Sequence, residues 1–72
     1  MHSEEEIYRA TLSARTVDGQ PHTLIVTRRA SGSPARVWLT LNGALQTTVA
    51  LTDAETAQLV ELLTHAQQAR AR

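Results

Sequence analysis

A single tryptophan and several arginines are the residues of this chain best suited to recognising another molecule. An indole ring can stack on a nucleobase, and a guanidinium can bind a phosphate or carboxylate through two hydrogen bonds. On one face of a β-sheet, such side chains would form a surface for single-stranded nucleic acid or for a protein partner. The candidate binding residues are Trp38, Arg36, Arg29, Arg9, Arg15 and Ile25.

The same search gives no candidate for catalysis, metal binding or cofactor binding. His2, His22 and His65 share no metal-ligand spacing, and the chain has no cysteine. The serines lack the flanking residues of a nucleophile motif, and no carboxylate pair lies in apolar surroundings that would suit its pKa to acid–base work. We therefore expect a protein that is not an enzyme and has neither cofactor nor metal.

Period-two patterns predict the strands that would position the binding residues. Apolar residues fall on even positions in residues 8–14 and 22–29, and on odd positions in residues 35–41 and 44–51. This alternation is typical of strands with one buried face. Residues 30–34 (Ala-Ser-Gly-Ser-Pro) are a connection, because they are too few for a domain linker.

The lengths of the two hairpin loops decide which side chains share a face. A three-residue loop with a bulge at Gly19 would gather the even positions of the first two strands on one face. A two-residue turn is the alternative, and it would place Leu12 beside Ile25. The same argument predicts a three-residue second loop, residues 41–43, with Gly43 in the left-handed conformation.

A helix start at Thr52 is the sharpest local signal in the sequence. Thr52 and Glu55 have the spacing of a capping box, in which each side chain accepts a hydrogen bond from the other residue's amide. Leucines and alanines then recur with a helical period as far as about Gln68. The predicted fold is α+β in the order ββββα, an antiparallel sheet of three to four strands covered on one face by a single C-terminal helix.

Length and composition indicate one small domain. We expect residues 1–6, which include three consecutive glutamates, to form a disordered acidic tail, and residues 7–72 to form the domain. Without an apolar run of about 20 residues or a basic and then apolar start, we expect no membrane contact and a cytoplasmic protein. Seven arginines balance seven acidic residues, and the lack of lysine beside abundant alanine is typical of a GC-rich genome.

The expected core is thin, because the chain has no phenylalanine, one tyrosine and one tryptophan. With no cysteine to form a disulfide, self-association is the simplest way to bury more apolar area. We therefore expect a homodimer. The sequence leaves three candidate dimer surfaces: the outer sheet face, an edge strand and the helix.

Three segments of the second half resemble a known dimerisation domain. Leu41-Asn42-Gly43, Ala50-Leu51-Thr52 and residues 59–72 are similar to the N-terminal dimerisation domain of the actinobacterial xenogeneic-silencer nucleoid proteins. That family has a Leu-Asp-Gly turn between two strands and continues through Asp-Leu-Ser into a helix rich in alanine and leucine. The resemblance implies dimerisation, and it does not imply DNA reading.

The sequence thus predicts a small, non-catalytic, self-associating module that binds another macromolecule, with protein as the favoured class. The alternative is a nucleic-acid-binding accessory domain that uses the Arg-, Thr- and Trp-rich outer face of the sheet. The balanced net charge gives no overall attraction to DNA. The outer face itself is expected to have four arginines and no carboxylate.

Overall fold

A computed structural model of the chain describes residues 6–30 and 35–70. These residues form one four-stranded antiparallel sheet, with the strands in sequence order, followed by one helix. The predicted α+β class and the ββββα order are therefore confirmed. The elements are β1 (Glu6–Arg15), β2 (Pro21–Arg29), β3 (Ala35–Asn42), β4 (Gln46–Thr52) and α1 (Asp53–Gln68).

Two of the sequence predictions concern segments that lie wholly or mostly outside the described residues, namely the acidic tail and the connection between the second and third strands. Residues 1–5 of the expected acidic tail lie outside it, as do residues 31–34 of the predicted connection. Glu6, the last residue of that expected tail, is the first residue of β1.

The β1–β2 hairpin closes with the predicted three-residue loop. The amide of Thr16 donates to the carbonyl of Gln20 over 2.8 Å, and the amide of Gly19 donates to the carbonyl of Thr16 over 2.9 Å. Gly19 has a φ of 92°, a left-handed conformation that costs glycine little. Leu12 consequently pairs with Leu24, and the even positions of both strands share a face.

The β3–β4 hairpin also has a three-residue loop, but the loop lies two residues later than predicted. Asn42 pairs with Gln46, so the loop consists of residues 43–45. Gly43 does not have a positive φ, and the prediction of a left-handed conformation there was wrong. Because a shift of two residues preserves the alternation of side chains, odd positions of β3 still face odd positions of β4.

This register gives the sheet one apolar face and one polar face. The face that we call the inner face carries apolar residues from all four strands, and the helix lies on its side of the sheet. The opposite face, the outer face, is rich in threonine and arginine. The apolar residues of the inner face are Tyr8, Ala10, Leu12, Ala14, Leu24, Val26, Val37, Leu39, Leu41, Val49 and Leu51.

The helix begins at the predicted capping box. The hydroxyl of Thr52 accepts a hydrogen bond from the amide of Glu55 over 3.0 Å, and the Glu55 carboxylate accepts one from the amide of Thr52 over 2.9 Å. Arg28 of β2 pairs with the Asp53 carboxylate over 3.2 Å. These contacts join the first turn of α1 to the sheet, and they place acidic residues at the positive end of the helix dipole. The helix ends at Gln68, where the sequence pattern predicted.

Within the described part of the chain, α1 packs on β3 and β4, and its contact with β2 is the Arg28–Asp53 ion pair at its first turn. The helix therefore covers one half of the inner face and leaves the β1–β2 half open. No residue of α1 is buried, and Val37, at 8% exposed, is the one buried apolar residue among those described. On β1, Leu12 is 61% exposed although it points to the inner face.

Candidate functional site

A groove on the outer face brings together four of the six predicted binding residues: Arg9, Ile25, Arg29 and Trp38. Its volume is about 320 Å³. The strand register explains the grouping, because Arg9 pairs with Thr27 on β2 and Thr27 pairs with Trp38 on β3. The remaining lining residues are polar, namely Thr27, Thr40, Asn42, Gln46 and Thr48.

Arg29 and Trp38 form the centre of this groove. The guanidinium carbon of Arg29 lies 4.4 Å from the centroid of the Trp38 ring, which is the geometry of a cation–π contact. The Nε atom of Arg29 is buried and has no hydrogen-bond partner among the described residues. Thr27, the cross-strand neighbour of Trp38, is only 5% exposed. The groove therefore has a buried threonine beside Trp38 and an arginine already engaged by the aromatic ring.

Glu6 changes the charge that we expected on the outer face. Its carboxylate lies 3.4 Å from Nη1 of Arg9, and its backbone pairs with that of Arg29. A register shift between Glu6 and Tyr8 turns the first residue of β1 onto this face. The expectation of a face without carboxylates was wrong, because the sequence pattern placed Glu6 in the tail.

The other two predicted binding residues do not join the groove. Arg15 is at the end of β1, and it lines a separate cleft of about 240 Å³ together with His22 and Leu41. Arg36 is half-buried and lies at a register shift in β3, between the residues that pair with Thr52 and Leu51. Neither arginine lines the groove that contains Trp38.

Sequence reasoning missed a close contact between β2 and the second hairpin loop. A Cβ atom on Gly43 would overlap the imidazole ring of His22. The Nδ1 atom of His22 lies 2.8 Å from the carbonyl oxygen of Pro21, a geometry in which a protonated Nδ1 donates. A side chain at position 43 would therefore require the His22 ring to move, and no local pattern in the sequence indicates this contact.

Asp18 is at the exposed tip of the first hairpin. The hydroxyl of Thr16 donates to its carboxylate, and this hydrogen bond lowers the pKa of Asp18 below the ordinary value of 3.8, with a backbone hydrogen bond acting in the same direction. The same hydroxyl accepts a hydrogen bond from the amide of Gln20 over 2.9 Å. These contacts stabilise the turn, and an acid that stays ionised is poorly suited to proton transfer near neutral pH.

The inner face contains an apolar cleft of about 350 Å³ between the helix and the sheet. The sheet contributes Leu39, Val49 and Leu51, and the helix contributes Leu59 and Leu62. Leu59 is half-buried, whereas Leu62 is 56% exposed. The contact between α1 and the sheet is therefore incomplete even on the half of the sheet that the helix covers.

The chain exposes much more surface than a compact protein of its mass. Its accessible surface is 5917 Å², whereas a compact monomer of this size exposes about 4400 Å². The radius of gyration is 14.4 Å, whereas a compact domain of this length has a radius of about 11 Å. The excess surface is larger than the roughly 800 Å² that one partner contributes to a standard protein interface.

In residues 6–30 and 35–70, no group of three or more His, Cys, Asp or Glu side chains could hold a metal ion. The helix in this part of the chain is too short and too polar to cross a membrane.

Comparisons with protein-family models, with curated proteins and with solved structures found no match to this chain. The resemblance to the silencer dimerisation domain therefore stays a hypothesis.

Proposed function

We propose that this chain is a cytoplasmic, non-catalytic module that forms a homodimer through its inner face and binds another macromolecule, a protein, through its outer face. The observation that carries the proposal is the open inner face, which extends over four strands and has a helix on only one half. Monomeric proteins rarely expose contiguous apolar patches of more than a few hundred square ångströms.

The chemistry of the inner face supports a second copy as its cover. Leu12, Leu41 and Val49 are each about half exposed or more, and their cross-strand neighbours are apolar except for Thr47, which pairs with Leu41. Burial of such side chains contributes about 25 cal/mol for each Å² removed from water. Two copies of a chain with zero net charge do not repel each other through their overall charge.

The outer face has features of a protein-binding surface. Trp38 and Ile25 are apolar anchors among polar threonines, and tryptophan and arginine are the residues most often found at the centres of interfaces. Nucleic-acid binding has less support, since Glu6 engages Arg9 and Arg29 lies on the Trp38 ring. A base would have to displace or share that arginine in order to stack on the covered side of the indole.

Sedimentation measurements over a range of micromolar concentrations test self-association. We expect a dimer, and we expect Leu12→Asp to weaken it by at least about tenfold, which corresponds to about 1.4 kcal/mol. Val17→Asp is the matched control, because Val17 is fully exposed at the tip of the first hairpin. A monomer that unfolds cooperatively at every concentration would contradict the proposal.

A fluorescence titration distinguishes the two classes of partner on the outer face. Trp38 is the only tryptophan, so its emission reports directly on this face. We expect no change on addition of single- or double-stranded DNA at low salt. A change that weakens steeply as salt is added would instead support nucleic-acid binding, because phosphate contacts release counterions.

A further inference from the structure

We propose that the two copies of the dimer cover each other with their helices. In each copy, the C-terminal half of α1, residues 60–68, would lie on the β1–β2 half of the partner's inner face. This inference rests on the proposed dimer and specifies which surfaces meet. It is supported by the apolar stripe of the helix, by the uncovered half of the sheet and by the dimensions of these two surfaces.

The apolar stripe of α1 is longer than the surface that its own sheet offers. Thr56 and Leu59, in the N-terminal half of the helix, are half-buried against the sheet. Leu62 and Leu63 follow Leu59 by three and four residues, so they continue the same stripe. Leu63 is 61% exposed. The second half of the stripe therefore needs an apolar surface from elsewhere.

The sheet has the complementary gap. Leu12 and Leu24 are direct cross-strand neighbours on the inner face, as are Ala10 and Val26. Within the described residues, the helix does not pack on either of these strands, and it reaches β2 only through the Arg28–Asp53 ion pair at its first turn. Each copy thus has one helix half without a sheet and one sheet half without a helix. In a dimer with a two-fold axis, the helix half of each copy covers the open sheet half of the other, so the same contact forms twice.

The dimensions of the two surfaces agree. Residues 60–68 of a helix extend about 13 Å at 1.5 Å per residue. Two adjacent strands cover about 10 Å of a sheet at their usual spacing. The total surface in excess of that of a compact monomer, counted over both faces of the sheet, is about 1500 Å² per copy, which is enough to supply the area that long-lived homodimers bury.

Disulfide cross-linking between two different variants tests this arrangement. The chain has no cysteine, so Leu12→Cys and Leu63→Cys each introduce a single thiol. When the two variants are mixed, allowed to exchange partners and oxidised, we expect a covalent dimer that contains one copy of each. The matched control replaces Leu12→Cys with Val17→Cys, whose thiol lies at the exposed hairpin tip, and should give at least about tenfold less product.

A second measurement uses the unsubstituted chain and does not depend on the folding of the variants. In a dimer of one isotope-labelled and one unlabelled copy, we expect nuclear Overhauser effects between the methyl groups of Leu63 and those of Leu12. A sedimenting dimer without these effects and without the specific cross-link would overturn the reciprocal helix arrangement and leave the dimer itself standing. A folded monomer would overturn both proposals.

Discussion

His22 places its imidazole ring in the space that a Cβ atom of Gly43 would occupy. The contact joins β2 to the first residue of the second hairpin loop, directly beyond the paired residues Thr23 and Asn42. We expect Gly43→Ala to lower the free energy of unfolding by about 0.5–1.5 kcal/mol, because the added methyl group forces the His22 ring out of its present position. Urea denaturation at a fixed protein concentration measures this change.

The control for Gly43→Ala is the same substitution in a His22→Ala background. Without the ring, the added methyl group has room, and Gly43 does not have the positive φ that would itself disfavour alanine. The cost should then fall below about 0.5 kcal/mol, which is the range of substitutions without a shared partner. An equal cost in both backgrounds would show that the ring is not the cause.

The capping box should contribute measurably to the stability of α1. Thr52→Ala removes the hydroxyl that accepts a hydrogen bond from the amide of Glu55, and we expect a loss of about 1 kcal/mol in unfolding free energy. Thr64→Ala is the control, because the hydroxyl of Thr64 only donates to the Val60 carbonyl within the helix. That variant should change stability by less than about 0.5 kcal/mol. Equal losses in the two variants would argue against a cap at Thr52.

Asp18 should make stability depend on pH in acid. Its pKa is lower in the folded chain than the ordinary value of 3.8, so its stabilising contribution is complete above that value. The contribution disappears as the pH falls from that value through the lower, folded-state pKa. An NMR titration of the Asp18 carboxyl group measures the pKa directly.

Thr16→Val should raise the pKa of Asp18 toward its ordinary value, because the hydroxyl of Thr16 is the main cause of the shift. Thr11→Val is the matched control, since Thr11 is an exposed residue of the same strand pair and lies away from the turn. If Thr16→Val left the titration of Asp18 unchanged, the hydrogen bond in the turn would not be the cause.

The cation–π contact on the outer face should be visible in the spectrum of Trp38. Arg29→Gln removes the cation, and we expect a change in the emission of Trp38 with a loss of about 0.5–1 kcal/mol in stability. Arg29→Lys should have a smaller effect on both the emission and the stability, because an ammonium group can also lie over the ring. Arg9→Gln should leave the emission close to that of the unsubstituted chain. Identical spectra for Arg29→Gln and the original chain would contradict the contact.

The alternation of apolar residues predicted the faces of the sheet because it depends only on whether a position is odd or even. It could not locate the second loop, since a shift of two residues leaves the alternation unchanged. The Asn42-Gly43 pair suggested a turn at those two residues, but Asn42 remains in β3 and pairs with Gln46. The close approach of His22 to Gly43 is a contact between strands that are distant in sequence, and it had no local signal.

The residues of the candidate site were also predicted from the alternation of side chains, and this prediction fails where the strand pairing is irregular. Alternation placed Trp38, Ile25 and Arg29 on one face, and the structure brings these three side chains into one groove. It failed for Glu6, because a register shift near the start of a strand changes the face without any sign in the composition. The sequence also could not predict how much of the sheet the helix covers. An apolar stripe shows that the helix packs on an apolar surface, but it does not show which chain supplies that surface.

Among the residues that the structure describes, only Thr27 and Val37 are buried in one copy, and this has a consequence for how the chain survives after synthesis. When folding and assembly are a single equilibrium, the midpoint of denaturation rises with the total concentration of chains. A cell that makes few copies would then hold much of the protein in an open, protease-sensitive form, whereas a modest increase in synthesis would protect every copy. The amount of folded protein in the cell would therefore rise more than proportionally with the rate of its synthesis.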